Sequence, residues 1–456
     1  MIKCPNCGGE MNYNPGEAQV VCQYCASKFD PKELNIDVKM SKENEENTYE
    51  GKTYSCSQCG AQLMTFDETA ITFCSYCGSQ AMIESKMMKQ NNPDFIIPFN
   101  KTKEDCIKAY KARVSKSLFV PNYMKSDVVL EKFRGIYLPY CIYKMEHHGS
   151  CTNKGSKYSH RSGDYVYYND YTITSDVDCT YDGVSYDLIS KYYDKYSTAI
   201  PFDYKKREAF NPNYLIGYYA DTIDVNSSVY EADAELVAEA DTTARLGRYK
   251  EFSRYGCGSP KCNVSVTDKK IGMFPVYFLA IRNKDNKSIN YVVVNGQTGK
   301  VAADLPVSFG KYLIGSLLLS VIIFLLIDNI FVFTPKTIAV IAIIFSAISL
   351  AISFIQAHSL YRNEYHMDDL GFMSKEENQN SQKIKKGIFK YIYKELLGII
   401  IPVICLAMNF VNDGYYYTAS LVALGLVVLS FKDLVKEHNL LVSNKLPQLD
   451  KRGGDK

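Results

Sequence analysis

Hydrophobic and polar positions change rhythm twice along these 456 residues. Up to residue 90 the apolar positions come in short β-prone runs among polar ones, as at 10–21 and 61–73, which predicts hairpins. From 94 to 306 helical and strand periods alternate. Ile107, Tyr110 and Val114 recur at helical spacing behind Thr102 and Asp105, a capping box that marks a helix start. The run GIYLPYCIY at 135–143 predicts a buried strand, with Pro139 confined to an edge or a bulge because proline lacks an N–H. Val166, Tyr168, Ile173 and Val177 alternate with polar residues over 165–180, which predicts antiparallel strands. Ser228 and Glu231 form a second capping box, opening a helix through Val229, Leu236, Val237 and Ala244 toward Gly247. Strands are predicted at 274–281 and 289–294, and Asn295-Gly296 turns the chain into 300–302. Ile97-Pro98-Phe99-Asn100 recurs as Ile200-Pro201-Phe202-Asp203, and 135–139 loosely matches 272–275, an echo of a duplicated α+β unit.

Beyond residue 311 the rhythm becomes long apolar runs, at 312–333, 337–357, 396–411 and 415–431. A run of about 20 residues spans the ~30 Å hydrocarbon layer. The last two runs are shorter and also fit a buried helical hairpin, and Pro402 in the third is tolerable in a membrane helix. Arg362, Lys375, Lys383, Lys385, Lys386 and Lys390 crowd the connection between the second and third runs. Lys432, Lys436, Lys445, Lys451, Arg452 and Lys456 crowd the tail, whereas the other two turns carry almost no positive charge. The positive-inside rule then gives four spans in the cell membrane with both termini cytoplasmic.

Candidate chemistry enters through cysteine. Of the 15 cysteines, eight fall into two copies of C-x2-C-x14-C-x2-C. Cys4, Cys7, Cys22 and Cys25 form one copy, and Cys56, Cys59, Cys74 and Cys77 repeat it. Four thiolates suit a tetrahedral borderline-soft ion, and the expected cofactors are two structural Zn2+ ions. A glycine after each pair supplies a positive φ at Gly8, Gly60 and Gly78; Ala26 departs from that pattern. A disulfide framework is the competing reading, and a cytoplasmic setting argues against it. No signal peptide is expected, since Met1-Ile2-Lys3 runs straight into Cys4. Each module is too small for its own core, so replacing Cys56 and Cys59 is expected to cost one ion and melt that ribbon alone.

The fold expected is therefore multidomain. Two small β zinc ribbons occupy 1–34 and 51–84 on either side of a flexible linker at 35–50. A soluble α+β, tyrosine-rich domain follows at 94–306, then an all-α four-helix transmembrane region at 311–432 and a cytoplasmic tail at 433–456.

These motifs resemble those of bacterial membrane proteins that contain transcription factor IIB-type zinc ribbons. After the cysteine pairs come Ile97-Pro98-Phe99, GIYLPY at 135–140, IPFDY at 200–204, LIGYYAD at 215–221, and NGQTGK with DLP within 295–306. The resemblance covers most of 50–330. It departs in having two ribbons and in lacking the tryptophan that family members often carry after the proline. It implies zinc and a membrane anchor, and no particular activity.

Other candidate sites read as structure. Gly296-x2-Gly299-Lys300 has the wrong spacing for a phosphate loop and fits a hairpin turn. His147, His148 and His160, near Cys141 and Cys151, show no recognised ligand spacing, and Cys257-x4-Cys262 is a weak pair. Asp221 and Asp224 could neighbour each other on a helix, Asp328 falls at the end of a span, and the tyrosines of 158–219 suit half-buried strands. With no catalytic signature, the expected function is a membrane-anchored, non-enzymatic scaffold that recruits a cytoplasmic protein partner. The alternatives are nucleic-acid binding by the ribbons, or a membrane enzyme or ligand sensor built on 94–306. Nucleic acid is disfavoured by charge. Overall charge is +2, but Lys3, Lys28 and Lys32 face Glu10, Glu17, Asp30 and Glu33 in the first ribbon. Lys52, Lys86 and Lys89 face Glu50, Asp67, Glu68 and Glu84 around the second.

Overall fold

The first cysteine module is a three-stranded antiparallel sheet of β1 (Met11–Asn14), β2 (Gln19–Cys22) and β3 (Lys28–Phe29). In the computed structural model the described residues are 3–34, 48–66, 71, 73–80, 82–190, 192, 194–246, 264–283, 288–328, 333–365 and 377–445. Most of the linker, Gly247, the Cys257–Cys262 pair and the tail after 445 therefore lie outside the described residues.

The second module is not a free-standing ribbon. Its strands β4 (Thr48–Cys56), β5 (Gln62–Thr65) and β6 (Met82–Asn91) overrun the expected limits of 51 and 84. They form one end of a 12-stranded sheet. Next come β7 (Phe95–Ile96), α1 (Lys103–Ser115), α2 (Asp127–Leu130), β8 (Arg134–Ser162) and β9 (Tyr165–Asp187). They are followed by α3 (Asp194–Ala199), β10 (Glu208–Ala209), β11 (Tyr219–Asp221), α4 (Glu231–Leu246), β12 (Ser265–Arg282), β13 (Ser288–Asn295) and β14 (Val301–Ala303). The main path through the sheet runs β10-β7-β12-β8-β11-β5-β4-β6. The junction is β11, which pairs parallel with β8 (Ala220↔Tyr137) and antiparallel with β5 (Ala220↔Met64).

Both faces of the central strands are buried, which is why they read as continuous apolar runs. Tyr137, Met273, Tyr277, Val292 and Val294 join Met11, Tyr13 and Val20 of the first module and Cys106, Tyr110 and Val114 of α1. On the alternate positions Leu138, Tyr140, Phe274, Phe278, Tyr291 and Val293 join the second module's cysteines and Tyr76. The first module thus covers one face of the sheet, and the cysteine turns of the second pack on the other face while its strands extend the sheet at one end.

Thr102 caps α1 through the expected box. Pro139 lies in a central strand, not at an edge or a bulge. Pairing with β11 stops at Tyr137 and pairing with β9 starts at Tyr140, so the missing N–H falls in the gap. The α4 prediction needs two corrections. Its N-terminus is a 3-10 turn capped by Asn226, whose Oδ1 accepts from Ser228 N. Its buried face is Tyr230, Ala234 and Ala238, while Leu236 and Val237 are exposed. Small alanines let the helix lie close against β8 and β9.

The strand prediction over 165–180 understated a larger feature. β12 accompanies β8 only from Arg134 to Glu146, whereas β9 pairs with β8 out to Ser162. At ~3.3 Å per residue the remaining two-stranded arm is about 50 Å long. The tyrosines accordingly split. Tyr186, Tyr192 and Tyr196 are buried in the sheet domain, and Tyr158, Tyr165, Tyr167 and Tyr171 are exposed on the arm.

Four helices follow: α5 (Phe309–Asp328), α6 (Pro335–Tyr365), α7 (Glu377–Met408) and α8 (Gly414–Val442), closing with β15 (Asn444–Lys445). Among the described residues two stretches are long and apolar enough to cross a membrane, Pro335–Ser359 and Gly414–Lys436; α5 holds a shorter apolar run, Phe309–Ile323. α6 and α8 extend past the expected spans at both ends, α8 through the start of the expected tail, whereas α5 and α7 start earlier than expected and end at Asp328 and Met408. After α8 the chain rejoins the sheet, where β15 pairs with β13 (Ser288↔Lys445). Asn439 fixes that return, exchanging hydrogen bonds of 2.7 and 2.9 Å with the backbone of Val307.

Candidate metal centres

Each Cys-x2-Cys pair bends around a turn closed by the same two hydrogen bonds. In the first, Gly8 N donates to Cys4 O (2.8 Å) and Cys4 N to Gly9 O (2.9 Å). The others repeat this as Ala26 N to Cys22 O (3.0 Å), Gly60 N to Cys56 O (2.7 Å) and Gly78 N to Cys74 O (2.8 Å). The residue after each second cysteine is left-handed, with φ of 71°, 56°, 69° and 66° at Gly8, Ala26, Gly60 and Gly78. Only Ala26 has a Cβ in that conformation. Ala26→Gly is expected to stabilise the first module by about 0.5 kcal/mol, strain relief being partly offset by unfolded-state entropy. A shift of the module's thermal unfolding upward is the check; a downward shift would contradict it.

The turns bring each set of four sulfurs together, all within 4.8 Å of one another. Cys4–Cys25 and Cys7–Cys22 are 3.6 and 3.4 Å apart, and Cys56–Cys77 and Cys59–Cys74 are both 3.6 Å apart. A tetrahedral ion with ~2.3 Å metal–sulfur bonds sets its sulfurs about 3.8 Å apart, so both clusters fit. All eight cysteines are free thiols. Both clusters could hold a metal ion through the eight residues expected, and four protein ligands leave no open position for catalysis.

The two centres differ in setting. All four cysteines of the second are buried, whereas Cys7 and Cys25 of the first are exposed. The Ser27 hydroxyl (3.1 Å) and backbone N–H pull the Cys25 thiol down from 9.0 to about 6. Arg282 braces the second centre, donating to Cys77 O (2.5 Å) and to Gln58 Oε1 (2.7 Å). Chelator treatment is therefore expected to remove metal in two phases, one ion fast and one slow. Protons compete with the metal for thiolate ligands, and two sulfurs of the first centre are open to water while all four of the second are buried, so acid should release the fast ion first. A single phase with one pH midpoint would contradict the asymmetry.

The contrast is sharpest at two equivalent tyrosines. Tyr24 and Tyr76 occupy the same place in Cys-x-Tyr-Cys turns. Tyr24 is 77% exposed, and Tyr76 is 1% exposed. Tyr76 packs on Phe278 (ring centroids 5.3 Å) and donates its hydroxyl to Asp221, while Tyr291 donates to its carbonyl (2.8 Å). Burial, with Asp221 close by, holds the Tyr76 phenol well above its ordinary range, so it remains a donor. Sequence alone marked neither tyrosine, although their matched positions in the repeat were the available signal.

The first module docks through its other side. Tyr13 N donates to Ile216 O (3.1 Å), and Asn213 Nδ2 donates to Pro31 O (2.8 Å) and Leu34 O (2.9 Å). Two of its three lysines are in ion pairs, Lys28 with Glu17 and Lys32 with Glu208, both at 2.8 Å.

The remaining candidates disperse. Asp221 ends a strand, and Asp224 instead accepts from Ser190 N at 2.7 Å. His147 is buried, while exposed His148 meets Asp178 at 2.9 Å. Among the described residues no histidine joins a metal-holding group. The 296–300 segment is the expected turn, with Asn295 N donating to Lys300 O (2.9 Å).

No family model matches the sequence, and no solved structure matches it. The chain is 27% identical over 329 residues to a Bacillus subtilis (strain 168) protein described as "Uncharacterized protein YdjG", a match covering 68% of this chain and 91% of the relative.

Proposed function

We propose that this is a zinc-binding, multi-pass membrane protein whose first ribbon recruits a protein partner at the cytoplasmic face, in the manner of a scaffold. In this reading it belongs with bacterial membrane proteins that carry transcription factor IIB-type ribbons. The observation that carries the proposal is the unequal fate of Tyr24 and Tyr76. One turn of the duplicated module is sunk in its own chain, and the matching turn presents the same aromatic to solvent. An exposed aromatic on a rigid turn is a suitable interface anchor. The ion pairs that occupy Lys28 and Lys32 support a protein partner over nucleic acid. Zn2+ is favoured by the all-thiolate tetrahedral donor set.

Membrane insertion is supported by outward apolar side chains on all four helices, including Leu318, Phe345, Ile404 and Leu421, which a soluble surface rarely carries together. The return of β15 to β13 favours an even number of crossings, because the end of α8 meets the domain from which α5 departs. Positive residues after 359 and after 431 favour the cytoplasm for that side.

The test is a photo-crosslinking amino acid at position 24 of the full chain in native membranes, with exposed Lys116 as control position. A discrete protein adduct at 24, unaffected by nuclease, is expected. Nuclease-sensitive adducts would transfer the function to nucleic acid, and no adduct at 24 would remove recruitment by this ribbon.

A further inference from the structure

Glu395 on α7 is wholly buried against α6 and α8. Its Oε1 accepts from the hydroxyls of Ser349 (2.9 Å) and Ser353 (2.8 Å) on α6. Its Oε2 accepts no hydrogen bond among the described residues. One turn along, Gly398 brings the helices together. A Cβ there would lie 3.3 Å from Ser346 Oγ on α6 and 3.6 Å from Ala423 O on α8. The three α6 serines fall within the apolar stretch Pro335–Ser359, and buried Ser430 falls within Gly414–Lys436.

We propose that Glu395 holds an alkali-metal cation on Oε2 between these three helices. The proposal rests on the reading that the helices lie in a membrane. There a carboxylate needs a positive partner, and an ionisable residue facing the bundle interior marks a site. The neighbouring cation does not supply it, because Lys394 is paired with Asp433 on α8. The other titratable group nearby on α6, His358, is exposed. Ser349 and Ser353 both direct their donors at Oε1, which leaves Oε2 for the charge. Carboxylate and hydroxyl oxygens suit a hard ion. A single carboxylate balances one positive charge, whereas divalent ions draw on more oxygens and more negative charge.

The test uses the full chain in lipid nanodiscs and dicyclohexylcarbodiimide, a reagent for carboxyl groups in apolar surroundings. Peptide mass spectrometry follows the adduct at Glu395, with E395Q as the blank, across pH in sodium chloride or choline chloride of equal ionic strength. An alkali site predicts labelling about tenfold slower in sodium when the ion is at about ten times its dissociation constant. Labelling that falls as pH rises but is indifferent to sodium is the ordinary titration of a carboxyl group, and it, or no labelling at Glu395, overturns the proposal. As a second readout, sodium should raise the thermal midpoint of the wild type relative to choline, with the shift lost in E395Q and reduced in S349A/S353A. Alkaline carbonate extraction separates the two readings: release of the chain into the aqueous phase sinks the membrane reading on its own.

Discussion

Cys56→Ser combined with Cys59→Ser is expected to unfold the sheet domain, not the second ribbon alone. Judged as an isolated module, that ribbon should melt by itself. The fold changes this, because β5 hydrogen-bonds to β11 and the four cysteines sit in the same core as Leu138, Phe274 and Val293. A structural four-cysteine zinc site binds with an apparent ~10–16 kcal/mol, as large as the entire ~5–15 kcal/mol stability of a typical domain. Loss of amide-exchange protection in β12 and β13 is the expected signature. Cys4→Ser with Cys7→Ser should spare those strands, because the first module adds a separate small sheet to the opposite face. Persistent protection of β12 and β13 without Cys56 and Cys59 would contradict the coupling.

Tyr76→Ala is expected to destabilise the chain by about 3–5 kcal/mol, the range for removing a fully buried aromatic. Tyr24→Ala is expected to stay within about 0.5 kcal/mol, as exposed positions do. The pair is an internal control, since the two residues share a turn and a local sequence. Denaturant titration of the sheet domain measures the first and titration of the first module the second. Equal effects would mean that the two modules are set in equivalent environments.

The two centres were legible in the sequence because ligand spacing is a local property. Four turns of three-residue reach, each ending in a left-handed residue, specify where sulfurs converge without reference to the rest of the chain. The docking of those centres was not legible. Tyr24 and Tyr76 look alike until Asp221, Phe278 and Tyr291, far away in sequence, close around one of them. The run at 135–143 was readable as buried because both faces of β8 are covered. Its proline was misplaced because the gap between two neighbouring strands is a feature of topology. In α4, Leu236 and Val237 drew attention as the larger apolar residues, yet close packing on a sheet selected Ala234 and Ala238. Glu395 escaped because a span was begun one residue after it, where charge ends. Its partners Ser349 and Ser353 were visible together with Ser346, three serines that recur on one face of an otherwise apolar helix.

Metal content per chain is the most direct measurement. Quantified by elemental analysis on purified full-length protein, the wild type should carry two zinc ions and Cys4→Ser with Cys7→Ser should carry one, with the sheet domain still folded. A wild type holding none or only one zinc, or a variant that keeps two, would contradict the assignment of both centres.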